Sequence, residues 1–215
     1  MAYYQAQAQP ESQPLPGYAQ SSSPAYDQKP VAPRVLHVYH EGFTHRRVQI
    51  LDSDKRTPVY RINANSGGLF SSKPHLRIYE AATDSEIATI TFHSISSDID
   101  MTIQNRPILL SKSGFFTSAH GFQSLATGGS FKWKSDGVFS CGDMICLDER
   151  EQLVARFKSS GWAMKKEGKF ELGEGVNGVL MTEVVVSGIA MYEYMRRQRN
   201  CSSAAAGAAG SAGAS

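Results

Sequence analysis

From residue 34 to about 174 the chain is built of short runs in which apolar and polar side chains take turns. DIDMTIQ (98–104) puts Ile99, Met101 and Ile103 on one side and Asp98, Asp100, Thr102 and Gln104 on the other. A repeat of two is the signature of a strand with one buried face. YRIN (60–63) and HLRIYE (75–80) set Arg61 and Arg77 between apolar neighbours, and EIATITFHS (86–94), GSFKWKS (129–135), GDMICLDE (142–149), LVARFKS (153–159) and GKFELGE (168–174) read alike. The connectors DSDKRTP, ATDSE, LDERE and KKEGK carry turn chemistry. Connections this short join neighbouring strands antiparallel, as a meander. The expectation is a mainly β chain of about 10–12 strands.

The pattern changes at GVLMTEVVVSGIAMYEYMRRQRN, Gly178 to Asn200. Here Val179, Leu180, Val184, Val185, Val186, Ile189, Met191 and Met195 cover nearly the whole circumference of a helix expected over about 178–198. A helix apolar all round is either encased in protein or crosses a membrane. Glu183 and Glu193 interrupt it, and a span needs roughly 20 apolar residues, so encasement is favoured. Glu183, Ser187, Ala190, Tyr194 and Arg197 form one polar or small stripe at helical spacing. About eight strands fill a barrel with side chains alone; a helix inside calls for a wider cylinder. The fold class expected is therefore a closed antiparallel β-barrel around its C-terminal apolar α-helix, with Val179, Leu180, Val184, Val185, Ile189 and Met191 in its core.

Flanking this domain, residues 1–33 are rich in Gln, Pro, Ser, Ala and Tyr, and 201–215 read CSSAAAGAAGSAGAS; both are expected to be disordered. Within the first, Leu15, Pro16 and Tyr18 of LPGY match a short proline-rich ligand of WW-type domains. With 22 Lys and Arg against 20 Asp and Glu, a net charge of +2 does not suit a nucleic-acid binder. Three cysteines in 215 residues do not make a disulfide scaffold, and the N-terminus has no apolar leader. These features point to a cytoplasmic protein. Cys141 and Cys146 lack two further ligands for a metal, and His37, His40 and His45 read as an exposed polar first strand. No nucleophile elbow, zinc-protease, P-loop or Rossmann spacing occurs, so neither an enzyme nor a cofactor is expected.

The layout of meandering strands followed by an apolar C-terminal helix resembles the tubby-like superfamily, which includes tubby domains, plant LURP-one-related proteins and phospholipid scramblases. GKFELGEGVNGVLMTEVVVSGIAMYEYMRR is most similar to small fungal tubby-like proteins of unknown function. The resemblance implies a barrel closed around a central helix. It also implies non-catalytic binding of anionic phospholipid or phosphoinositide head groups by basic side chains, for which Arg61, Lys73 and Arg77 are the candidates, with peripheral attachment to a membrane. A scramblase-like or tail-anchored membrane protein is an alternative. Against it, the segment before the helix offers only Glu171 and Glu174, too few carboxylates for calcium, and no cysteine cluster. A soluble scaffold recruiting partners through its Pro-rich tail is a further alternative.

Overall fold

A computed structural model describes residues 34–41, 46–65, 74–114, 118–137, 142–160 and 166–211; the side chains of 166, 167 and 200–211 lie outside the description. Twelve strands precede one helix: β1 (Arg34–Glu41), β2 (Arg47–Leu51), β3 (Pro58–Ala64), β4 (Leu76–Glu80), β5 (Glu86–Phe92), β6 (Ile99–Ile103), β7 (Arg106–Lys112), β8 (His120–Gln123), β9 (Ser130–Ser135), β10 (Met144–Asp148), β11 (Leu153–Ser159), β12 (Lys166–Leu172) and α1 (Gly178–Ser211). Each strand pairs with the next, and β1 closes on β12 with Arg34 opposite Leu172 and Phe170 opposite Leu36. All pairings are antiparallel, which a closed meander permits only with an even number of strands. The barrel is the expected one, at the upper end of the expected strand count.

The alternation in the sequence maps onto the wall. Ile99, Met101 and Ile103 of β6 point inward while Asp100 stays exposed, and in β3 and β4 Tyr60, Ile62, Leu76 and Ile78 point inward. Trp133, Phe157 and Phe170 are wholly buried and supply most of the aromatic volume. Two readings of the wall need correction. β1 is not an exposed polar strand: Leu36 and Val38 are fully buried and His37 nearly so. KKEGK is not all turn, because β12 begins at Lys166.

The helix occupies the barrel axis. Val184, Val185, Val186, Ile189, Ala190 and Met191 are all but inaccessible. Leu180 packs only at the edge of this core, and Val179 is 42% exposed, so its placement in the core was wrong. The cause is geometric: residues 177–179 are exposed and Met181 is the first buried residue, so the opening turn stands outside the mouth. The helix also outruns its expected end and continues to Ser211 instead of giving way to a disordered tail at 201. The Ala-rich stretch costs little side-chain entropy in a helix.

Gly188 sets how closely helix and wall approach. A Cβ there would lie 2.6 Å from Phe170 Cε1 and 2.8 Å from Trp133 Cζ2. Only a residue without a side chain leaves room for the two rings, which meet edge to face at 6.3 Å.

Candidate functional site

The polar residues of the helix find their partners in the wall. Tyr60 Oη and Thr182 Oγ1 are 3.0 Å apart, and Trp133 Nε1 donates to Ser187 Oγ at 2.9 Å. Glu183, 1% exposed, makes no ion pair among the described residues. Its carboxylate accepts from Ser124 Oγ at 2.5 Å, from the Leu125 N–H at 3.0 Å and from the Ala126 N–H at 3.1 Å. The turn after β8 thus folds over one mouth of the barrel to receive the acid. In the sequence Glu183 looked like a cost to membrane insertion; in the fold it latches the helix to a loop. Its signal was legible, since an acid inside an apolar helix must meet donors somewhere, but the loop that supplies them was not.

Replacing Glu183 by Leu should lower unfolding free energy by about 3 kcal/mol, because it strands the Ser124 hydroxyl and two amides without an acceptor. Glu183→Gln should cost less, about 1–2 kcal/mol, since its carbonyl still accepts. Urea denaturation checks both. A Leu variant within about 0.5 kcal/mol of the natural chain would mean the latch is idle.

At the opposite mouth, the helix leaves the barrel beside β1–β5. Glu193 is paired there with Arg196 at 2.8 Å and Arg197 at 3.0 Å, and the Arg197 guanidinium lies 4.3 Å above the Phe92 ring. His75 Nδ1 accepts the Phe92 N–H at 3.2 Å. Burial, and then the Arg197 charge, push the His75 pKa down, which keeps the ring a neutral acceptor. A cleft of about 30 Å³ between helix and wall is lined by His40, Arg46, Ile62, Tyr192, Glu193 and Arg196 among others. Arg199 follows Arg196 by three residues and so lies on the same face of the helix. Arg46, Arg47 and Arg199 are exposed and make no ion pair among the described residues.

The expected basic candidates stand elsewhere. Arg61 and Arg77 do face outward on neighbouring strands, where Arg77 sits opposite Asn63 and Arg61 opposite Tyr79. Each, however, is neutralised by an acid: Arg61 pairs with Asp84, and Arg77 reaches Glu86 at 3.0 Å. Lys73 lies outside the described residues, as do Leu15, Pro16 and Tyr18, and Cys141 and His45. Cys146 is buried and its thiol pKa is pushed up by burial, which makes it unreactive. Among the described residues no group of three His, Cys, Asp or Glu could hold a metal, and no helix is long and apolar enough to cross a membrane.

Residues 44–198, from just ahead of β2 to Gln198 in α1, match a family described as "Family of unknown function (DUF6593)". The chain belongs to DUF6593. The matched region takes in both mouths of the barrel, including the Glu183 latch and the Arg46 and Arg196 cleft. A solved structure of an Arabidopsis thaliana protein is similar to this DUF6593 chain at 10% identity and a TM-score of 0.47, over 74% of this chain and 90% of that one. No curated protein matches.

Proposed function

We propose that this DUF6593 protein is a non-catalytic binding module of the tubby-like kind, and that it holds anionic phospholipid head groups at the mouth from which the helix emerges. The observation that carries the reading is the set of exposed arginines there that make no ion pair among the described residues: Arg46 just ahead of β2, Arg47 opposite Glu41 at its start, and Arg199 on the emerging helix. Arg46 and Arg196 already converge on one cleft. Guanidinium groups recognise phosphate through paired N–H donors, and unpaired ones pay no price to release a partner first. Arg61 and Arg77 would have to break their salt bridges, so they are the weaker candidates. The tubby-like assignment itself is supported by the closed twelve-strand meander around a buried C-terminal helix.

Sedimentation with vesicles of phosphatidylcholine, with and without phosphatidylserine or a phosphoinositide, tests the reading. Enrichment should require the anionic lipid and fade as salt is raised. Arg46→Ala combined with Arg199→Ala should remove about 2 kcal/mol, on the order of thirtyfold in partitioning, at about 1 kcal/mol for each arginine near the surface. Arg61→Ala with Arg77→Ala should leave it nearly unchanged. Equal partitioning onto neutral and anionic vesicles would end the proposal.

A further inference from the structure

The two ends of the barrel differ in what their connections carry. Alternate strands of an antiparallel barrel run the same way, so β1, β3, β5, β7, β9 and β11 all end at the mouth from which the helix emerges. The connections that follow them belong to that mouth. The others, including the one that leads into α1, belong to the mouth of the Glu183 latch. This second set spans 52–57, 81–85, 104–105, 124–129, 149–152 and 173–177, and its sequences contain no aromatic residue. In the first set every connection carries a large apolar residue in its sequence: Phe43, Phe70, Ile95, Phe116, Phe139 and Trp162. Of these, Ile95 is among the described residues and the rest lie outside them.

Ile95 stands fully clear of the protein. Its side chain is 101% exposed, more than any other large apolar residue described. The loop beneath it, between β5 and β6, is braced. The Asp98 N–H donates to Ser96 Oγ at 3.0 Å, and His120 Nε2, on a ring 2% exposed, donates to the Ser97 carbonyl at 3.0 Å. Across the base of the loop, His93 Nε2 and Asp100 Oδ2 stand 2.8 Å apart. A single exposed aliphatic residue is ordinary on a protein surface. Ile95 is set apart by its place at the tip of a tied loop, with its whole side chain in water, at the mouth that carries the arginines.

The charge beside it is positive. Phe92, three residues ahead of Ile95, has the Arg197 guanidinium 4.3 Å above its ring, and Arg199 follows two residues later on the same helix. Three residues of extended chain reach about 10 Å, so the loop tip lies close to the emerging helix. Arg46 is exposed in another connection of this mouth. Of the nearby acids, Asp100 is paired with His93 and Asp98 is half-buried. An aliphatic side chain in water and a set of guanidinium groups thus face outward from one end of the barrel.

We propose that Ile95 is a bilayer anchor: when the arginines of this mouth meet lipid phosphates, its side chain enters the acyl boundary beneath the head groups. This rests on the reading that the mouth holds anionic head groups. It commits their source to a membrane, since a free head group offers Ile95 nothing apolar to enter. Attachment at an interface strengthens with both buried apolar area and the attraction of cations to anionic lipid. The apolar residue in the sequence of each neighbouring connection is of the type that favours this boundary.

Sedimentation with vesicles of phosphatidylcholine and phosphatidylserine tests this on the full chain. Ile95→Ser should lower partitioning by about tenfold, as expected for the loss of one buried aliphatic side chain, and keep the dependence on salt. Its melting curve should match that of the natural chain, because the Ile95 side chain is already in water. Leu153→Ser removes an apolar side chain that is 53% exposed at the opposite mouth, and it should partition as the natural chain does. In Ile95→Trp, the fluorescence gained over the natural chain should be quenched by lipids brominated along their acyl chains. The inference is overturned if the Ser variant partitions like the natural chain while both still require anionic lipid, a result that leaves the head-group reading intact. It is overturned too if Leu153→Ser weakens attachment as much, or if brominated chains leave the added tryptophan unquenched. Failure of the natural chain to join anionic vesicles at all would remove the head-group reading and the anchor together.

Discussion

A chain ending at Gly175 should fail to fold. It keeps every strand but loses, with Val176 and Ala190, the six larger buried apolar side chains of the helix, Met181, Val184, Val185, Val186, Ile189 and Met191. Each contributes about 1.5–3 kcal/mol by burial, so the loss is roughly 9–18 kcal/mol, which matches or exceeds the whole stability of an ordinary domain, about 5–15 kcal/mol. The wall would suffer as well, because Trp133 and Tyr60 give up their hydrogen-bond partners on the helix. The expected result is a chain that is aggregated or lacks a cooperative melting transition. Circular dichroism on heating reads it, and a shortened chain that melts at the temperature of the full one would show that the wall stands without its core.

The second large effect is expected at a single atom's scale. Gly188→Val should destabilise the protein by about 3 kcal/mol or more, because overpacking of a filled core costs about 1–3 kcal/mol even for small insertions. Gly188→Ala gains up to about 1 kcal/mol of helix propensity against the same clash, so its net cost should be smaller than that of Val. The clash is with rings held on two strands, Trp133 on β9 and Phe170 on β12, and Phe170 is itself wedged against Phe157 at 4.8 Å. Neither ring can swing aside. Urea denaturation of the two variants gives the order; a Val variant as stable as the natural chain would mean the helix can shift within the barrel.

These two outcomes locate what was readable in advance. Wherever a strand has one face in the core and one in water, as in DIDMTIQ, period-two alternation follows from geometry and can be read directly. The β1 stretch RVLHVYHE misled because His37 is buried beside Leu36 and Val38, which blurs the alternation. β7 and β8 carried weaker patterns still: Pro107 breaks one and the other is four residues long. The pairing of the basic candidates was hidden for a different reason. A sequence shows that Arg61 and Arg77 are charged, but not that Asp84 in the β4–β5 turn and Glu86 on β5 already neutralise them. Arg46, Arg47 and Arg199 were equally visible as letters, and only the absence of an ion pair among the described residues sets them apart.

By itself, then, the sequence determined the class of fold: a meander of half-buried strands and one helix too apolar to face water and too interrupted by Glu183 and Glu193 to cross a membrane. Those properties are local, set by side-chain periodicity over a few residues. Tertiary structure decided the rest: that Glu183 latches to the turn after β8, and that Arg61 and Arg77 are paired with acids while Arg46 and Arg199 make no ion pair among the described residues. Each depends on residues well apart in the chain meeting in space, and pairwise electrostatics and hydrogen bonding have no period along the chain by which they could be read.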